Sequence, residues 1–278
     1  MTPRIFIIGN ASKPRVVEVF HRLSEWLETK GMLVGNDLNG RPETLNAARP
    51  DYVIALGGDG TILHAGQAMQ HRQVPIIGVN MGKLGYLADF DEAELQQHLE
   101  QVLANPNLVS RRMMFDVRIV SSEGEAWEGV ALNDCVIRVG APFRTVGLEL
   151  QIDDRPLCTL AGDGVILATP TGSTAHNMSC GGPIVEPGVE AIIVTPMGPH
   201  SFTHRPVVVS RSSRMCIRTL SQSDGVVTVL DGQRVLQVYP DTRIYVSKSK
   251  SFFQLVRNPA RRSWDTLITK LKWGQNVT

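Results

Sequence analysis

Three continuous apolar runs in the first third of the sequence each stop at residues that turn the chain. Ile5-Phe6-Ile7-Ile8 ends at Gly9, Tyr52–Leu56 ends at Gly57-Gly58, and residues 75–79 end at Asn80, with Gly82 and Gly85 close behind. A run that is apolar at every position has no solvent side, which is the pattern of a strand covered on both faces in a parallel sheet. Between these runs, Val16, Phe20, Leu23 and Leu27 recur at helical spacing and stop at Gly31. Leu95, Leu99 and Val102 repeat that spacing further on. Strands alternating with amphipathic helices predict an open α/β sheet over residues 1–105.

Beyond about residue 106 the period changes. Phe115, Val117 and Ile119 alternate with Asp116 and Arg118, and Val146, Leu148, Leu150 and Ile152 alternate with Gly147, Glu149 and Gln151. Turn pairs such as Asp153-Asp154 and Asp224-Gly225 separate such runs through Tyr245. This predicts a second, mostly β domain over residues 106–258. Trp264, Leu267, Ile268 and Leu271 then fall on one helical face, giving a helical tail over residues 259–278.

A net charge of +1 gives no basic footprint for nucleic acid or an anionic membrane surface. No apolar stretch reaches the roughly 18 residues of a membrane span, and the start, residues 1–9, lacks a signal pattern. A cytoplasmic protein is expected. Cys135, Cys158, Cys180 and Cys216 form no C-x-x-C pair, so they read as reduced core thiols.

The sharpest local feature is Leu56-Gly57-Gly58-Asp59-Gly60-Thr61, between a buried strand and the helical run 62–69. Glycines there let backbone N–H groups approach a phosphate, and the helix N-terminus adds partial positive charge. The stretch lacks the lysine of a P-loop, and Leu63 stands where a dinucleotide fingerprint needs its third glycine. A carboxylate at Asp59 would be repelled by phosphates unless it takes a proton from an attacking hydroxyl or helps to hold a metal; otherwise it simply shapes an Asp-Gly turn.

Three further features carry polar groups. Gly162-Asp163-Gly164 leads through a strand to Thr169-Pro170-Thr171-Gly172-Ser173-Thr174-Ala175, and Gly181-Gly182-Pro183 follows. Its hydroxyls suit a sugar or phosphate, or equally an N-cap turn. Asn133-Asp134 interrupts an apolar strand read as residues 130–139, where an amide and a carboxylate need partners from a ligand or a bulge. Asp231-Gly232-Gln233 reads as a hairpin turn.

Together these segments resemble the NAD kinase family. The matching stretches are LGGDGTIL (56–63), GVNMGKLGYLADF (78–90), ALNDCVIRVG (131–140), GDGVILATPTGSTAHNMSCGGPIVEP (162–187), TPMGPHSFTHRPVVV (195–209) and DGQ (231–233). GGDGT alone also occurs in diacylglycerol and sphingosine kinases; TPTGSTA followed by GGP is far more specific. The resemblance implies an N-terminal α/β domain, a β-sandwich-like C-terminal domain, and a C-terminal helix returning to the first domain. It implies phosphorylation of the 2′-hydroxyl of the adenosine ribose of NAD by ATP with Mg²⁺ or another divalent metal, without assigning protein ligands to that metal. A homodimer or homotetramer is also implied, with no nucleic-acid or membrane partner.

By the same resemblance, Asp59 is the base that activates the 2′-hydroxyl, and Gly57, Gly58, Gly60 and Thr61 line the donor-phosphate loop. Tyr86 packs near the adenine, Asn133 and Asp134 grip NAD, and Asp163, Thr171, Thr174, Ala175 and Ser179 belong to the dinucleotide-binding stretch. Gln233 matches the DGQ position. The chain departs from the family's usual Asn-Glu at Asn133-Asp134, and from its usual Tyr at His176, whose imidazole could charge near neutral pH. His64, His200 and His204 read as structural or surface residues. Ala161 falls where members that prefer NAD over NADH carry a long polar side chain, which predicts measurable use of NADH. The alternatives are a lipid or sugar kinase of the same superfamily and a non-catalytic NAD-binding sensor.

Overall fold

The computed structural model describes residues 2–82, 85–141, 144–220, 225–262 and 264–272. Met1, Lys83 and Leu84 of the GKLGY stretch, Asp224 of the predicted Asp-Gly turn, and 273–278 of the predicted helical tail lie outside the described residues. The chain divides into two units. Unit 1 comprises residues 1–111 and 253–278, and unit 2 residues 112–252.

Unit 1 alternates strand and helix: β1 (Ile5–Ile8), α1 (Pro14–Thr29), β2 (Leu33–Asp37), α2 (Pro42–Ala48), β3 (Tyr52–Leu56), α3 (Asp59–Met69), β4 (Ile76–Val79) and α4 (Glu92–Ala104). The strands are parallel, in the order β2-β1-β3-β4. Every residue of β1 and β4 is buried, as continuous apolar runs require. Helix α1 starts with Pro14, whose missing N–H costs nothing in a first turn, and buries Val16, Val19, Leu23 and Leu27. Helix α4 opens with a full capping box between Asp91 and Glu94. Because the chain passes from β1 outward to β2 and then back to β3, the order reverses between β1 and β3. Ligands of open α/β sheets bind outside the carboxyl ends of strands at such a reversal, and β3 ends there at Gly57.

Unit 2 holds most of β5 (Val109–Val120), β6 (Ala126–Ala131), β7 (Asp134–Val139), β8 (Val146–Ile152), β9 (Arg155–Gly162), β10 (Gly164–Ala168), α5 (His176–Ser179), β11 (Ala191–Met197), β12 (Val207–Ser210), β13 (Met215–Thr219), β14 (Val226–Leu230), β15 (Arg234–Val238) and most of β16 (Arg243–Val256). One antiparallel sheet runs β12-β11-β10-β7-β14-β15; in the other, β16, β13, β8 and β9 are neighbours. Their inner faces share one core, with Cys135, Ile137, Val165 and Leu167 from the first sheet against Leu148, Leu150, Ile217 and Ile244 from the second. That is a β-sandwich. β16 then passes into unit 1, where Leu255 pairs in parallel with Ile76, and α6 (Asp265–Leu271) follows.

One expectation needs correction. Residues 130–139 are not one strand, because β6 stops at Ala131 and β7 begins at Asp134, leaving Leu132-Asn133 as a bend. The backbone N–H groups at the break bond to a side chain rather than to a strand. Among the described residues no helix is long and apolar enough to cross a membrane. The four cysteines are free thiols.

Candidate functional site

In unit 1 the glycine turn and the helix are one element. Helix α3 begins at Asp59 itself, so Asp59, Gly60 and Thr61 form its first turn, with the Thr61 N–H donating back to Gly58 O at 3.0 Å. Gly57 is buried, and a Cβ there would overlap Thr61 Oγ1. Gly58 and Gly60 are exposed, and a Cβ on either would meet open space. The backbone is therefore open to a bulky anion on its outer side and closed on its inner side.

The Asp59 carboxylate is held by the turn that follows β4. Its Oδ2 accepts from the Tyr86 N–H at 2.9 Å, and its Oδ1 accepts from Leu87 N–H at 2.9 Å and Ala88 N–H at 3.3 Å. A carboxylate offers about four acceptor positions; among the described residues three are used and one remains, on Oδ2. A side chain at Gly85 would overlap Oδ1, which explains the second glycine of GKLGY. Asn80 fastens the base of that turn, donating to Phe90 O and accepting from Gly82 N–H. The Lys270 ammonium of α6 stands 4.6 Å from the centre of the Tyr86 ring. Burial, and then the Asp59 charge, raise the Tyr86 phenol above its ordinary pKa.

In unit 2 a cavity of about 370 Å³ brings together Asn133, Asp134, Ala175 and His176 from the predicted set. Sequence reasoning missed Arg138 and did not draw Asp231 into the site; both line the same space. Asn133 Oδ1 is buried without a partner among the described residues, as is Thr171 Oγ1. Asp134 is 4% exposed, and burial together with the neighbouring Asp231 pushes its carboxyl up to about 7. Burial, and then Arg138, hold the His176 imidazole below its ordinary value, which favours the neutral ring.

The TPTGSTA stretch forms a single helical turn, residues Thr171–Thr174, and then α5. Its hydroxyls divide into two sets. Ser173 Oγ bonds within the fold, to Pro170 O and Val185 O, and Thr169 Oγ1 bonds to Leu132 O. Thr174 Oγ1 makes one long contact to Thr171 O at 3.4 Å, and Ser179 is exposed. Asn177, not singled out from the sequence, is fully buried and joins Ser173 O, Pro183 O and the Thr195 hydroxyl. Gly182 of GGP packs directly on its amide.

Asp163 and Ala161 lie apart from the walls of that cavity, at the β9–β10 junction. Asp163 exchanges backbone bonds with Met197 O and Val139 N, and its carboxylate packs on Gly198. Ala161 is exposed, and its carbonyl accepts from the His200 N–H at 2.9 Å. Gln233 is exposed just beyond the hairpin turn. Among the described residues no three or more His, Cys, Asp or Glu side chains converge as a metal cage.

A glycine turn at the reversal point of an α/β sheet, with a fixed carboxylate inside it, and a polar cavity in a β-sandwich define a two-unit nucleotide-binding protein. The ATP-NAD kinase N-terminal domain model matches residues 39–107, and the ATP-NAD kinase C-terminal domain model matches residues 132–258. NAD kinases of Geotalea daltonii and Geobacter sulfurreducens are each 36% identical to this chain, covering 98% of it and 99% of their own length. The crystal structure of yeast NADH kinase complexed with NADH has a TM-score of 0.90 at 25% identity, covering 100% of this chain and 89% of that one. An Archaeoglobus fulgidus NAD kinase in complex with ATP has a TM-score of 0.78 at 26% identity, covering 97% of this chain and 98% of that one. The chain belongs to the NAD kinase family, and it is a kinase.

Proposed function

We propose that this protein transfers the γ-phosphoryl group of ATP to the 2′-hydroxyl of the adenosine ribose of NAD, with Asp59 accepting the hydroxyl proton. The observation that carries the reading is the single acceptor position left on Asp59 Oδ2, in a carboxylate immobilised by three backbone N–H groups at the mouth of the glycine turn. Phosphoryl transfer asks a protein for positioning and charge stabilisation rather than covalent chemistry. The α3 N-terminus and the open backbone at Gly58 and Gly60 supply the first for the donor phosphates. The divalent cation arrives with the triphosphate as part of the donor, since Mg²⁺ is commonly held by phosphates, waters and one or two carboxylates rather than by a protein cage.

Asn133, Asp134 and the TPTGSTA turn hold NAD in this reading. The orphaned Asn133 Oδ1 and Thr171 Oγ1 support it, because a buried polar atom without a partner costs stability unless a ligand completes it. In this reading the enzyme also uses NADH to a measurable degree while still preferring NAD. Ala161 offers the nicotinamide no charge or long polar group with which to distinguish an oxidised from a reduced ring, and the yeast relative of similar fold is a NADH kinase complexed with NADH.

Replacing Asp59 by Asn tests the central role. The amide keeps the size but cannot take a proton, so kcat should fall about 10²–10⁴-fold while NAD affinity changes much less. Turnover near the wild-type rate would remove Asp59 from the chemistry.

A further inference from the structure

We infer that Asp231 is a positioning residue for NAD: its carboxylate replaces the missing strand at the β6–β7 break and so aims Asn133 and Asp134 into the cavity they share. This rests on the proposed role of Asn133 and Asp134 in holding NAD. Asp231 is 7% exposed and stands at the tip of the β14–β15 hairpin, with φ of 51° and Gly232 at 67°. Those left-handed values suit the two central residues of a type I′ turn, closed by the Gln233 N–H on Leu230 O at 2.9 Å, where Asp and Gly are both favoured. The turn alone needs nothing from the Asp231 carboxylate.

What the carboxylate does lies across the sheet. Asp231 Oδ1 accepts from the N–H groups of Leu132 at 3.0 Å, Asn133 at 2.7 Å and Asp134 at 3.1 Å, and Oδ2 accepts from Leu132 N–H at 3.0 Å. The Asp231 N–H in turn donates to Asp134 O at 3.0 Å. The opposite side of the bend is held by Thr169, whose N–H donates to Asn133 O at 2.8 Å and whose hydroxyl donates to Leu132 O at 2.6 Å. Three consecutive N–H groups and three carbonyls are thus fixed from two different elements. A bend held on both sides has one direction for each side chain, and Asn133 and Asp134 both line the cavity.

A neutral residue could cap such a turn, but burying a second carboxylate beside Asp134 is costly unless its hydrogen bonds are used. The groups that face Asp134 are Asp231, Arg138 on its own strand, and His176 and Cys180 of the α5 region, with Cys135 adjacent in sequence. Of these, Asp231 is the one whose charge holds the Asp134 carboxyl up.

The test uses the full chain and initial rates with NAD and ATP varied separately. Asp231→Asn keeps the shape but turns an amide toward the three N–H groups. The expected result is a rise in KM for NAD of about ten- to a hundredfold, as for loss of a charge-assisted network. KM for ATP should stay within about twofold, and the inflection from Asp134 in the pH dependence of NAD binding should move to lower pH. A residue that only stabilised the sandwich would lower the melting temperature and leave both KM values and the inflection in place; that result would overturn the inference. Should Asp231→Asn fail to fold, Thr169→Val removes the hydroxyl on the other side of the bend. It should raise KM for NAD selectively, with Thr169→Ser restoring it, and an unchanged KM for NAD in Thr169→Val would equally overturn the inference. A wild-type chain without NAD-dependent turnover would sink the kinase reading and this inference with it, whereas an active wild type whose variants lack the split sinks this inference alone.

Discussion

Half-buried Asp59 and buried Asp134 sit in opposite surroundings. Three backbone donors hold the Asp59 carboxylate; Asp134 is cut off from water beside a second carboxylate, Asp231. The consequence for Asp134 can be measured without any substrate. Its folded-state pKa is raised to about 7 from an ordinary 3.8, so the unfolded chain loses that proton first as pH rises. Stability from this group is present below about pH 4 and is lost progressively as pH climbs to about 7. Asp134→Asn should flatten that part of the stability curve in urea titrations at several pH values; an unchanged slope would mean that the group titrates normally. The same substitution should weaken NAD binding. At Ala161 the expectation concerns selectivity: wild type should phosphorylate NADH detectably, and Ala161→Arg should lower NADH use relative to NAD by about 10–200-fold in kcat/KM, the range of one contact. Undetectable NADH turnover by wild type would end that reading.

At the scale of elements, two glycines give opposite expectations for the same substitution. A Cβ at Gly172 would overlap the Asn133 carbonyl, so Gly172→Ala should cost about 1–3 kcal/mol, read from the urea midpoint. A Cβ at Gly60 meets open space in the first turn of α3, so Gly60→Ala should leave stability unchanged or slightly raised while raising KM for ATP. Equal effects on stability would contradict the packing at both sites. The same contrast explains what was legible in the sequence. β1, β3, β4 and α1 announced themselves because burial on both faces, or on one helical stripe, leaves an unbroken apolar pattern. β2 and α2 did not: β2 reads Leu-Val-Gly-Asn-Asp as an edge strand, and α2 has seven residues with Leu45 as its buried anchor. The break at Leu132-Asn133 was hidden because its cause, Asp231, is 99 residues away from Leu132. Asp-Gly at a hairpin already had a sufficient local explanation.

For the whole molecule, the change of period near residue 106 separated an α/β part from a β part, and each part has its own buried core. Local periodicity could not show that Leu255 returns to pair with Ile76, since a parallel pairing leaves no mark in the segment between. The glycine turn, with Asp59, belongs to unit 1, and the Asn133-Asp134 cavity belongs to unit 2. The proposed reaction draws on both, so its test uses the whole chain. The most direct measurement is to incubate the purified full-length protein with NAD and ATP plus Mg²⁺ and identify the products by phosphorus NMR and chromatography. The expected product is NADP carrying its new phosphate on the 2′-oxygen of the adenosine ribose, formed in equal amount with ADP and suppressed in Asp59→Asn. ADP without NADP, or a phosphate on another hydroxyl, would contradict it.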